Sequence, residues 1–164
     1  MAAVAAVEAE EPVERRPDVI EGAMGKRPSY REIEHTADVG VELSAPDLRS
    51  AFEGAAAAMF DLMSDLDRVG ETWRGRVRVT GMDLENLLIR WLAELLFLSE
   101  SEGVLLSRFT VDLLDGHTLD AAVAGEKFDR AKHAVRVEIK APTYHGLRIE
   151  EVGGEWSVRV IFDT

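Results

Sequence analysis

The chain has 164 residues, with 19 Lys and Arg against 31 Asp and Glu, a formal net charge of −12 and no cysteine. That length makes one domain, or one domain and a tail. The charge argues against a general binder of nucleic acid or anionic membranes, which needs a basic face. Without thiols there is no disulfide framework, thiolate zinc site, iron–sulfur cluster or Cys nucleophile. The apolar runs, Ala55 to Phe60 and Met1 to Val7 among them, are far short of the ~20 residues that span a bilayer, so composition describes a soluble globular protein.

Residues 1–27 read as a tail, rich in Ala and Glu, broken by Pro12 and Pro17, and without a sustained period. A disordered extension is expected there, with a short helix near Ala2–Glu11 as the alternative. It lacks the basic start and apolar centre of a secretory signal. Its six acids and four bases give −2, which leaves −10 on residues 28–164.

From Tyr30 the pattern sharpens. Tyr30–Glu34 and Val39–Leu43 read as short strands around the polar segment His35–Asp38. Ser44-Ala45-Pro46-Asp47 reads as a helix start, with Ser44 as the cap. Leu48, Phe52, Ala55, Met59 and Leu62 then keep helical spacing to about Ser64. Trp73–Thr80 is a strand with Val77 and Val79 on one face. Asp83 caps a second helix whose Leu84-to-Leu96 stripe is wide enough for deep burial, and Gly103 ends it.

The remainder reads as β. Phe109, Val111 and Leu113 lead to the hairpin turn Asp115-Gly116, and Leu119, Ala121 and Val123 return. Val135, Val137 and Ile139 alternate as another strand. Leu147–Val152, Gly153-Gly154 and Trp156–Phe162 make a last hairpin. Helices early and strands late predict a single-domain α+β fold, an α/β sandwich with mostly antiparallel sheet and two main helices.

Motifs for phosphate loops, nucleophile elbows and zinc proteases are missing. His35, His117, His133 and His145 are scattered, and His117 and His133 read as surface residues beside turns. Two polar segments interrupt well-patterned surroundings. Glu34-His35-Thr36-Ala37-Asp38 is either a bulge or tight turn that binds its own backbone, or a place where Asp38 presents a carboxylate. Val160-Ile161-Phe162-Asp163-Thr164 ends an apolar strand on hard oxygens, of the type that Mg²⁺, Mn²⁺ or Ca²⁺ takes. The alternative there is a solvated end. Lys140-Ala141-Pro142-Thr143-Tyr144-His145 puts a Lys on a polar strand face and then a bend; Lys140 could pair with an acid, a phosphate or a partner carboxylate.

These segments together resemble the archease family. The likeness covers Glu34-His35-Thr36-Ala37-Asp38-Val39-Gly40, Ala51-Phe52, Leu87-Leu88 to Leu95-Leu96, Gly125-Glu126, Lys140-Ala141-x-Thr143-Tyr144-His145 and Val160-Ile161-Phe162-Asp163-Thr164. It implies a cytoplasmic, non-enzymatic accessory protein of an RtcB-type RNA ligase in tRNA splicing or RNA repair. Such a protein promotes guanylylation of the ligase and its multiple turnover. The resemblance also implies a divalent-cation site (Ca²⁺, Mg²⁺ or Mn²⁺) at Asp38, Asp163 and Thr164. It makes Lys140, His35 and Thr143 candidates for contact with the ligase or its nucleotide. No membrane association and no strong direct binding of nucleic acid are expected. Departures from the family pattern are Pro142, Ser50 before Ala51-Phe52, and Thr164 in place of an aliphatic end. Two rivals remain at this level: a chaperone-like or adaptor module for basic clients, and a free-standing metal-dependent hydrolase, for which too few catalytic groups converge.

Overall fold

A computed structural model describes residues 2–4, 28–35 and 38–164. In chain order its elements are β1 Ala2–Val4, β2 Arg31–His35, β3 Asp38–Ala45, α1 Leu48–Met63, a 3₁₀ turn Leu66–Arg68, β4 Trp73–Thr80, α2 Leu84–Glu102, β5 Val104–Leu114, β6 Thr118–Lys127, β7 Ala141–Val152 and β8 Glu155–Asp163. They form two antiparallel sheets, ordered β1-β4-β6-β5 and β2-β3-β8-β7.

Both helices touch both sheets: α1 packs on β3, β5 and β8, and α2 on β4, β5, β6 and β7. This explains the composition of α1. Every residue from Ser50 to Leu62 is buried, and its run of alanines lets the neighbouring elements approach closely on all sides. Phe60 and Phe109 stack at 5.6 Å between ring centroids, and Trp91 meets Phe109 edge-on at 6.5 Å and 85°. Burying each such ring contributes about 2–3 kcal/mol. Trp91 also donates its indole N–H to the Phe52 carbonyl at 3.0 Å, so its one polar group is satisfied inside the core.

The expected α+β sandwich with two main helices is the observed architecture. Asp83 caps α2 by accepting from the Asn86 N–H, and Gly103 closes it with φ 66°. Gly153-Gly154 turns the last hairpin with φ 61° and 85°, positive values that L side chains resist.

Several details differ from expectation. The cap of α1 is Asp47, which accepts from the Ser50 N–H at 2.8 Å, while Ser44 lies inside β3 opposite Ser157. Sheet pairing claims Ser44 before it can cap. His133 is buried, not on the surface. Residues 135–140 form no strand; β7 begins at Ala141, earlier than Leu147. The chain start contributes an edge strand at Ala2–Val4, paired with Val77 and its neighbours in β4, in place of a helix at those residues. The rest of the tail reading lies outside the described residues.

Candidate functional site

Sheet register, not sequence spacing, assembles the candidate site. In the second sheet Val39 pairs with Phe162, and both point into the core. One step further along each strand, Asp38 and Asp163 come side by side on the opposite, outward face. His35 stands opposite Asp38 in the β2–β3 pair, and residues 36 and 37 link the two strands. On the other flank Ala141 stands opposite Asp163, and the Lys140 N–H donates to the Asp163 carbonyl at 2.8 Å. Thr164 follows directly. Asp163 and Thr164 are exposed and Asp38 half-buried.

Gly40, within the first motif, makes this arrangement possible. A Cβ on it would lie 2.6 Å from the Ile161 Cδ1 and 2.7 Å from the Val160 carbonyl oxygen. Only glycine lets Ile161 lie across β3 at this height, with β8 closely applied beneath Asp38.

The other expected residues fall around this end of the sheet. Thr143 donates its hydroxyl to the Ile161 carbonyl at 2.9 Å, clamping β7 to β8. The Lys140 side chain is exposed and lines a groove beside α2. The bend expected at Pro142 lies later. Pro142 is buried and sits in the ladder opposite Phe162, and β7 bulges between Thr143 and Arg148, five residue steps against two in β8. Tyr144 in that bulge accepts a 2.7 Å hydrogen bond from the Asn86 side chain of α2.

The chemistry of the Asp38–Asp163 end is that of hard oxygens. Two carboxylates on adjoining strands, with the backbone oxygen of Thr164 beside them, suit Ca²⁺, Mg²⁺ or Mn²⁺ better than a soft metal. Among the described residues no three His, Cys, Asp or Glu side chains come together. A cation here would therefore be held by two side chains and completed by oxygens of residue Thr164 or by water.

A second polar centre had no clear signal in the sequence. Glu126 accepts from the Gly70 N–H at 2.7 Å, from Lys132 Nζ at 2.8 Å and from His133 Nε2 at 3.0 Å. These donors, the Gly70 N–H above all, hold its carboxyl down at about 2. His133 Nδ1 accepts from the Asp129 N–H at 3.0 Å, which leaves the ring proton on Nε2, facing Glu126. Asp129 in turn receives the Ala131 N–H, a turn signature that shows where the loop bends but not that His133 is buried by it. Elsewhere, Arg76 bridges Asp112 and Asp120 at 2.7 and 3.0 Å, and the carboxylates hold its guanidinium above its usual value.

Comparison with known proteins gives the family and the fold. Residues 30–164 match the Archease protein family (MTH1598/TM1083). The protein archease of Sulfurisphaera tokodaii is 41% identical over 135 residues, 82% of this chain and 97% of its own. That of Methanosarcina mazei is 38% identical over 146 residues, 86% and 98% of the two chains. The solution structure of protein 1598 of Methanobacterium thermoautotrophicum superimposes with a TM-score of 0.73 at 37% identity, over 82% of this chain and 98% of that one. The crystal structure of an archease and possible chaperone from Thermotoga maritima gives a TM-score of 0.51 at 23% identity, over 82% and 96%, a likeness of fold. This chain belongs to the archease family.

Proposed function

We propose that this archease is an accessory protein of an RtcB-type RNA ligase in the cytoplasm, promoting ligase guanylylation and multiple turnover in tRNA splicing or RNA repair without catalysing ligation itself. One observation carries the reading: strand register gathers Asp38, Asp163, Thr164 and the Lys140 backbone at one end of one sheet. The family resemblance implies a cation site and a partner contact among these residues, which supports the reading. In this role Asp38, Asp163 and Thr164 hold a divalent cation, and Lys140 reaches the ligase or its nucleotide, with His35 and Thr143 as neighbouring contacts. The cation supplies charge neutralisation, on which nucleotidyl transfer depends. The protein's own part is to gather the oxygens, with the Lys140 backbone tied to the Asp163 carbonyl and its side chain exposed for a partner. A surplus of acid suits a protein that meets a basic RNA-processing enzyme rather than RNA itself. The test measures ligase guanylylation with wild type, Asp38→Ala, Asp163→Ala and Lys140→Ala. Loss of stimulation in the two aspartate variants is expected, and full stimulation by all three would sink the site assignment.

A further inference from the structure

One stretch of the chain has the sequence of a strand and no strand beside it. Val135, Val137 and Ile139 alternate with Arg136, Glu138 and Lys140, and burial alternates too: Val137 is half-buried, Glu138 exposed, Ile139 buried and Lys140 exposed. The backbone is tied only at its ends. The Arg136 N–H donates to the Met63 carbonyl at 2.9 Å and the Lys140 N–H to the Asp163 carbonyl at 2.8 Å. Between these anchors no N–H or C=O of Val137, Glu138 or Ile139 meets another backbone group among the described residues. The ladder of β7 on β8 starts only at Ala141.

Beside this stretch lies a groove of ≈ 490 Å³. Met63, Leu96, Phe97 and Ile139 give it apolar lining, and Glu100 and Glu138, with Lys140 as the one base among the lining residues, leave its rim net acidic. Phe97 is 61% exposed, a large aromatic on the outer face of α2 beside the exposed Ala93 and Glu100. A row of unpaired backbone groups next to an apolar pocket is what strand addition uses. The backbone supplies pairing, and the pocket takes alternate side chains.

We propose that residues 137–139 and this groove receive an extended segment of a basic partner. The segment pairs its backbone with Val137–Ile139, inserts one apolar side chain against Phe97 and Leu96, and sets a Lys or Arg on the rim at Glu100 and Glu138. Charge selects this occupant over a second copy of the chain, which would bring its own net −12 to an acidic rim. The inference rests on the proposed function only in assigning the segment to the ligase.

The probe is a fluorescein-labelled heptapeptide of alternating Lys and Leu, alongside the same peptide N-methylated on alternate backbone amides. Binding is read by anisotropy, and deuterium exchange is followed at residues 137–139. Wild type should bind the plain peptide with slowed exchange at 137–139, and N-methylation should weaken it about tenfold. Phe97→Ser and Glu138→Lys, both at exposed positions, should each weaken it by a similar factor. Failure of the plain peptide to bind, equal binding of the N-methylated peptide, or unchanged exchange would overturn the site. Protection that appears with rising concentration of the chain alone would give the groove to a second copy and also overturn it. The same variants are then assayed on the ligase. Stimulation and binding unchanged in Phe97→Ser would overturn the groove and leave the proposed function standing. No stimulation by wild type would end that function and leave the peptide result intact.

Discussion

Two places in the molecule join acids to residues far away in the sequence, and they are built in opposite ways. At Glu126 one carboxylate receives three N–H donors, from Gly70, Lys132 and His133. The Gly70 N–H belongs to the backbone and the His133 side chain is fully covered, while Lys132 reaches in from the surface. At the end of the second sheet, register instead places two carboxylates, Asp38 and Asp163, next to one another. The donor closest at hand, the Lys140 N–H, goes to a backbone carbonyl. A carboxylate saturated with donors holds a loop in place. Oxygens gathered at a sheet end suit a divalent cation. The first arrangement is architecture and the second is the proposed site, and substitutions should separate them.

The largest effect belongs to the architectural centre. His133→Ala should empty a buried space beside Phe128, leave the Asp129 N–H without its partner and take one of the two donors from Glu126 Oε1, which keeps the Gly70 N–H. A loss of ~3 kcal/mol is expected in urea unfolding, and a loss below ~1 kcal/mol would show that the loop stands without the clasp. Gly40→Ala comes next. Its Cβ would press on the Val160 backbone, and ~2 kcal/mol should be lost by the same measurement. Unchanged stability would mean that β3 and β8 separate freely beneath Asp38.

Glu126→Gln should lose less, ~1 kcal/mol near neutral pH, because the amide oxygen still accepts from Gly70. Its signature is in the pH dependence. The folded carboxyl lies at about 2, below the 4.5 of an unperturbed glutamate, so the native state binds fewer protons there than the unfolded state. The stability it contributes is therefore complete above about pH 4.5 and is lost as pH falls through about 2. Acid titration of tryptophan fluorescence should show the glutamine variant with a shallower decline between pH 4.5 and 2 than wild type. Parallel curves would remove Glu126 from the acid response.

What could be read from the sequence was what adjacent residues decide. Asp83, Asn86 and Gly103 bound α2 because caps act within one turn. The same local logic offered Ser44 as the cap of α1, but Ser44 pairs with Ser157, far along the chain, and Asp47 caps the helix instead. Residues 135–140 carried a true period of two, yet a period cannot say whether a partner strand runs alongside, and β8 does not reach past Asp163. His133 sits beside a turn in a polar stretch, and only Glu126 on β6 makes it a buried residue. The site depends most on distant pairing. Nothing in the spacing of Asp38 and Asp163 places them together; the β2-β3-β8-β7 strand order does. The family resemblance named these residues before any geometry did.

The smallest effect on stability should come from the residue that matters most to the proposed function. Asp163 is exposed, and its backbone carbonyl, which Asp163→Asn retains, makes the bond to Lys140. Stability without added metal should therefore stay within ~0.5 kcal/mol of wild type. The difference should appear on adding Ca²⁺ or Mn²⁺. A ligand that binds only the folded state stabilises it by about 2.7 kcal/mol at one hundred times its dissociation constant. Wild type should show such a rise in melting temperature with Ca²⁺ or Mn²⁺, and Asp163→Asn should show little or none. His133→Ala, though far less stable, should keep the full increment. If the two variants lose the cation response alike, the contrast between clasp and site collapses. If only the aspartate variant loses it, the two acidic centres are separate in function as they are in structure.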